Sequence, residues 1–165
     1  MNTLWSDIEA VIEKKSLLKH PFYQAWTAGK LTREDLAYYA QQYYAQEARF
    51  PRYVSAVHSN CPDLKTRQML LENLTHEEAG TDNHPELWLR FAETVGADRA
   101  SVLGAKANAG TTKCVETFDR LSRGSWQTGL AALYAYEAQQ PAVAKTKSEG
   151  LKSKYALDSA SALGF

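Results

Sequence analysis

The chain has 165 residues and carries 19 basic and 19 acidic side chains, so its formal charge is zero. That length supports one domain with a substantial core and is too short for two ordinary ones. Balanced charge with no block of one sign argues against a surface built to neutralise nucleic-acid phosphates, and no stretch approaches the roughly 18 continuous apolar residues of a membrane span.

No apolar segment follows a basic start at the N-terminus, so a cytoplasmic location is expected. The two cysteines, Cys61 and Cys114, stand in no metal-ligand spacing and read as thiols of a reducing compartment. In chain order, Thr3 suits the cap of a first helix with an apolar stripe of Leu4, Ile8, Val11 and Ile12, running to about Lys15. Leu17 to Trp26 is a short apolar segment in which Pro21 breaks the chain and Gly29 closes it, with Tyr23 and Trp26 facing inward. Thr32 and Asp35 form a capping-box pattern that opens a long helix carrying Leu36, Tyr39, Tyr43 and Phe50. Pro51 should kink or divide that helix, and Tyr53, Val54 and Val57 resume its apolar face up to Asn60.

Pro62 suits a helix start, after which Leu64, Met69, Leu70 and Leu74 lead into Glu77. Pro85 suits the first turn of the next helix, whose buried side is Leu87, Trp88, Phe91 and Val95, ending at Gly96. The Gly-, Ala- and Ser-rich stretch from Gly96 to Thr111 reads as a connection with one helical turn at Ser101 to Leu103. A helix from about Thr112 to Leu121 follows, then a loop with Ser125 as a cap. Trp126, Leu130, Leu133, Tyr134 and Glu137 share the next helix, Pro141 interrupts, and Val143 to Tyr155 continues as a lysine-rich helix. Residues Leu157 to Phe165 look like the approach to a further helix. No strand alternation and no fixed repeat is present, so the expectation is an all-α fold of about seven segments in one domain over residues 1–165.

Chemistry concentrates in Asn73-Leu-Thr-His-Glu-Glu-Ala-Gly-Thr-Asp-Asn-His84. On an unbroken helix Glu77 and His84 would share a face about 10 Å apart along the axis, too far for one ion. Either they serve neighbouring ions, or Gly80 and Asp82-Asn83 end the helix and fold His84 back toward Glu77; the plain alternative is a polar helix end. Glu137, on an apolar helix, needs a cation or a donor, and both a metal and a lysine qualify. Lys147 lies about eighty degrees from it on an unkinked helix, an angle that a kink at Pro141 can correct. For Glu47, beside Tyr43 and Tyr44, a solvated position is the default expectation.

Several stretches resemble the family of helical proteins related to the chlamydial protein associating with death domains. They are His20-Pro-Phe-Tyr23-Gln-Ala-Trp26, Tyr39-Ala-Gln-Gln-Tyr43-Tyr44, Phe50-Pro-Arg-Tyr53-Val-Ser-Ala-Val-His58-Ser, Glu77-Glu78 through Asn83-His84-Pro-Glu-Leu-Trp88, and Tyr134-Ala-Tyr-Glu137-Ala-Gln-Gln-Pro141-Ala-Val-Ala-Lys145-Thr-Lys147. The wider superfamily is the haem-oxygenase-like bundle, which includes thiaminase-like TenA proteins and pyrroloquinoline quinone synthase. The resemblance implies a cytoplasmic dimetal oxidase, using dinuclear iron or mixed manganese and iron with dioxygen, that makes p-aminobenzoate for folate synthesis by consuming itself. In that family a tyrosine side chain supplies the benzoate skeleton and a lysine gives up its nitrogen. The matching positions are Tyr23 and Lys147, with Tyr39 as a neighbour for radical or proton transfer and Glu77, His84 and Glu137 as metal ligands. The resemblance also implies a homodimer, no exogenous aromatic substrate, and no nucleic-acid or membrane partner. All these groups should then converge on one dry cavity.

The family carries a further ligand group, His-x-x-x-Asp-x-x-His, on its last helix. This sequence stops at Phe165 before that helix, so the expectation is a bundle lacking its last helix, with an open groove in its place and a natural protein that continues. Two other readings remain: a metal-free relative acting on a small ring, and a helical interaction module with an apolar docking groove.

Overall fold

The structure is a computed structural model in which residues 3–164 are described, and among these no strand occurs. The helices are α1 (Thr3–Lys14), α2 (Pro21–Thr27), α3 (Arg33–Glu47), α4 (Phe50–Asn60), α5 (Leu64–Glu78) and α6 (His84–Thr94). They continue as α7 (Arg99–Leu103), α8 (Ala109–Ser122), α9 (Trp126–Glu137), α10 (Gln140–Tyr155) and α11 (Ala160–Leu163), with a single 3₁₀ turn at Leu17–Lys19. Pro51 and Pro141 each divide the chain, as the sequence allows, and each sits in the first turn of a new helix. Proline lacks the N–H that a first turn leaves unused anyway, so at both positions it starts a helix instead of bending one.

Caps are mostly side chains of the expected kind. Thr32 and Asp35 make the reciprocal capping box, and Ser125 accepts from the backbone N–H of Thr128. Pro62 is not helical; Asp63 caps α5 in its place by accepting from Thr66 N. Likewise α8 starts at Ala109, capped by Asn108, earlier than apolar spacing alone places it. Thr3 lies inside α1 and does not cap it, and the α1 stripe is largely uncovered, with Leu4 and Val11 exposed and Ile8 and Ile12 half-buried. On α5, Leu64 and Met69 are also exposed, at 68% and 64%, while Leu70 is buried. The approach to a further helix contains the short α11, and Phe165 falls outside the described residues.

Two apolar cores result. One joins Trp26, Leu36, Ala40, Trp88, Phe91 and Leu151 from α2, α3, α6 and α10. The other joins Phe50, Tyr53, Val54, Val57, Leu70 and Leu133 from α4, α5 and α9. Burying side chains of this size contributes roughly 2–3 kcal/mol each. Indole and phenol groups inside the cores are satisfied by backbone carbonyls: Trp88 Nε1 donates to Ala40 O at 2.9 Å, and Tyr53 Oη donates to Val115 O at 3.2 Å.

Helix α10 is set against α2 at close range. Trp26 Nε1 donates to Lys147 O at 3.2 Å, and a Cβ on Gly150 would stand 2.5 Å from that same nitrogen. Only glycine lets the helix approach this near. The contact fixes the rotation of α10 and turns Lys147 toward the seam between the two cores.

Candidate functional site

The seam holds a cavity of about 320 Å³. Its apolar walls are Tyr43 and Trp88 from one core and Phe50 and Tyr136 from the other, and Glu47, Glu77, His84, Glu137 and Lys147 also line it. Four elements therefore deliver charge to one place: α3, the α5–α6 corner, the end of α9, and α10.

The α5–α6 corner resolves the spacing of Glu77 and His84. Helix α5 ends at Glu78, Gly80 adopts φ 77°, and Asn83 caps α6 with His84 as its first residue. The chain thus folds His84 back, and its Nδ1 lies 3.0 Å from Glu77 Oε2. Glu77 is buried, and its hydrogen bond to His84 raises the imidazole pKa above its ordinary value, against the opposing effect of burial. Glu47 Oε1 lies 3.9 Å from the same nitrogen. Glu47 is thus not solvated as its position beside Tyr44 suggests: burial pushes its carboxyl up, while Lys147 draws it down.

The donor described for Glu137 is an amide. Asn73 Nδ2 donates to Glu137 Oε1 at 3.3 Å, from one helical turn before Glu77 on α5. Burial raises the Glu137 pKa, and the Asn73 bond opposes that shift. Lys147 is 3% exposed, with Nζ 4.7 Å from the Trp88 ring centre and 5.3 Å from that of Tyr43. Burial drives its pKa well down, with the Glu47 carboxylate opposing. The redirection of Lys147 comes from the break at Ala138–Gln139 and the restart of α10, not from a kink within one helix.

Tyr23 stands apart from this group. It lines a second cavity on the far side of Tyr43 and Tyr136, which border both. Tyr23 and Tyr39 face each other there at 3.4 Å between hydroxyls, and Tyr43 is hydrogen-bonded to Tyr136. The single chamber expected from the resemblance is thus two chambers separated by phenols, with Lys147 5.9 Å from the Tyr39 ring centre. Trp26 lines neither cavity.

The donor set suits a borderline-hard metal. His76, Glu77 and His84 offer ligand atoms within 4.8 Å of one another, and no cysteine lines the cavity. His76 stands in that compact group where the resemblance implies Glu137, which lines the same cavity. Asn73 Oδ1, beside Glu137, is a buried acceptor without a hydrogen-bond partner. An orphaned acceptor beside a carboxylate of the cavity fits a bound cation with its water.

Comparison with known proteins gives the family. The model of the TENA/THI-4/PQQC family matches residues 8–159. The chain belongs to that family. Within the TENA/THI-4/PQQC family it is 44% identical to the 4-aminobenzoate synthase of Nitrosomonas europaea, over 94% of this chain and 68% of that protein. It is 43% identical to the 4-aminobenzoate synthase of Chlamydia muridarum, over 92% of this chain and 64% of that one. The pyrroloquinoline-quinone synthase of Ectopseudomonas mendocina is 32% identical over 77% of this chain and 54% of its own length. The chain thus spans about two thirds of the 4-aminobenzoate synthases it matches. Among the described residues no helix is long and apolar enough to cross a membrane.

Proposed function

We propose that this chain makes p-aminobenzoate out of its own side chains, with Tyr23 as the source of the ring and Lys147 as the source of the nitrogen. The observation that carries the reading is Lys147 itself: an amine in a mostly apolar environment, with its pKa lowered, beside a cluster of carboxylates and imidazoles. Burying a lysine charge costs several kcal/mol, more than the Trp88 and Tyr43 rings return. An amine that must attack carbon needs the neutral form that burial favours. Similarity to two 4-aminobenzoate synthases supports the same product class.

In this reading Glu77 and His84 hold the metal, with Glu137 and His76 beside them, and the ions are dinuclear iron or mixed manganese and iron. A metal pair bound there would supply, with dioxygen as oxidant, the oxidising equivalents for breaking the Tyr23 Cα–Cβ bond and raising Cβ to a carboxylate. The Lys147 amine takes the place of the phenol oxygen, which leaves as water, and its Cε–Nζ bond breaks with Cε oxidised to an aldehyde by the same oxidising equivalents. The chain's residues prepare those steps. Glu47 takes up the proton that Lys147 releases, its own carboxyl having been pushed up by burial. Asn73 orients Glu137, and Glu77 fixes the His84 ring through Nδ1. Tyr39, bonded to Tyr23 and over which Lys147 sits, links ring and amine across the wall. No external aromatic substrate is needed, and a cytoplasmic homodimer is part of the same proposal.

The test is growth. In a p-aminobenzoate auxotroph the gene should restore growth without added p-aminobenzoate, and Tyr23→Phe should not. Growth supported equally by Tyr23→Phe would remove the reading.

A further inference from the structure

Apart from Tyr23 and Tyr39, the second cavity carries groups that the proposed reaction does not use. It measures about 400 Å³, within the range of small-molecule sites. Aromatic rings of Tyr23, Tyr39, Tyr43, Phe118 and Tyr136 line it, and the exposed Cys114 stands at its edge. Among the described residues no charged side chain lines it.

Its polar groups are nearly all satisfied, which makes the exception informative. Gln42 accepts from Asn108 N and Thr111 Oγ1 and donates to Lys106 O. Gln139 accepts from Leu17 N and donates to Ala135 O. Gln46 is different: it is 5% exposed, its Oε1 lies 4.0 Å from Cys114 Sγ, and its Nε2 has no hydrogen-bond partner. A buried amide N–H left unpaired is costly, and such groups in folded proteins have a ligand or water to explain them. The two phenol pairs add to this. Each pair shares one hydrogen bond between two hydroxyls, so each retains one hydroxyl hydrogen that the bond does not use.

We propose that this cavity is a binding site for a neutral, single-ring aromatic molecule bearing a hydrogen-bond acceptor, with the ring among the phenols and the acceptor on Gln46 Nε2. A charged ligand is disfavoured because no cation among the described residues lines the cavity and an unpaired charge is expensive to bury. The ligand lies beside Tyr23 without replacing it, and Gln46 Nε2 with the rings of Tyr43, Phe118 and Tyr136 would remain after Tyr23 is consumed.

The experiment is an NMR titration of isotope-labelled protein with three probes of one size. Acetophenone has a carbonyl acceptor, α-methylstyrene replaces that carbonyl with a carbon, and benzoate carries a charge. Acetophenone should shift the backbone amides of Gln46, Cys114 and Phe118, and bind about tenfold more tightly than α-methylstyrene. Benzoate should bind more weakly than acetophenone. Gln46→Leu should bring acetophenone down to the level of α-methylstyrene, and Cys114→Trp at the exposed edge should weaken both. Should Gln46→Leu fail to fold, the ranking of the three probes on the unmodified protein decides. Equal affinity for acetophenone and α-methylstyrene, tighter binding of benzoate, or shifts confined to Glu77 and His84 would each overturn the proposal.

Discussion

Replacing Lys147 with methionine should make the protein more stable while destroying its chemistry. Lys147 is 3% exposed, and its burial lowers the pKa from the ordinary 10.5 to about 7. A lowered lysine pKa means that the unfolded chain binds the proton more readily than the folded one. Stability is therefore lost as pH falls from the ordinary value through the depressed one, and recovered above it. The buried ammonium is partly compensated by the Trp88 and Tyr43 rings, about 2 kcal/mol for a desolvated cation on an aromatic face, and by Glu47. The desolvation cost of several kcal/mol exceeds that return. Methionine fills similar space without charge, and Glu47 can remain protonated and neutral, so we expect a gain of about 1–4 kcal/mol at pH 7. Urea unfolding at pH 7 and pH 10 reads it. The gain should shrink as pH rises, because the native lysine then folds already neutral. A variant less stable than the parent at pH 7, or a gain unchanged at pH 10, would refute this account of the buried amine.

Three further outcomes follow from the same geometry. In chelator-treated protein, Glu77→Gln should lower stability more at pH 6 than at pH 8.5, by about 1 kcal/mol. The raised His84 pKa gives stability that is present below the ordinary histidine value and lost as pH rises through the raised one, so a pH-independent loss would contradict it. Gly150→Ala should destabilise by about 1–3 kcal/mol despite its better helix propensity, because its Cβ meets the buried Trp26; a stabilised variant in thermal unfolding would show that the α2–α10 approach is looser than described. Tyr136→Phe leaves the Tyr43 hydroxyl without its partner and should cost about 1–2 kcal/mol by the same unfolding assay, with no loss expected if water already solvates that pair.

Much of the fold was legible because it depends on local chemistry. Thr32 with Asp35, Ser125, and the apolar spacing of Trp88 and Phe91 all carry their meaning in a few consecutive residues. Proline was harder to read, since Pro51 and Pro141 have the same local effect whether they bend a helix or begin one. The exposed faces of α1 and α5 show the limit of periodicity, which reports that an apolar side exists and not whether anything covers it. At the site, the turn at Gly80 was readable, and with it one of two placements of His84. Glu47 and Asn73 were not, because nothing in their neighbours' spacing says that α3 and α5 face one seam. Gln46 gives no signal in sequence at all; only a completed hydrogen-bond account exposes it.

The proposed self-consumption predicts a change in covalent mass. Protein isolated from its own cells should be exposed to ferrous iron, dioxygen and a reductant, and its intact mass and the peptides containing Tyr23 and Lys147 measured before and after. We predict one loss at each position, the aromatic side chain from Tyr23 and the nitrogen from Lys147, matched by free p-aminobenzoate in at most equal amount. Product formed over many turnovers from a chain whose mass does not change would contradict it.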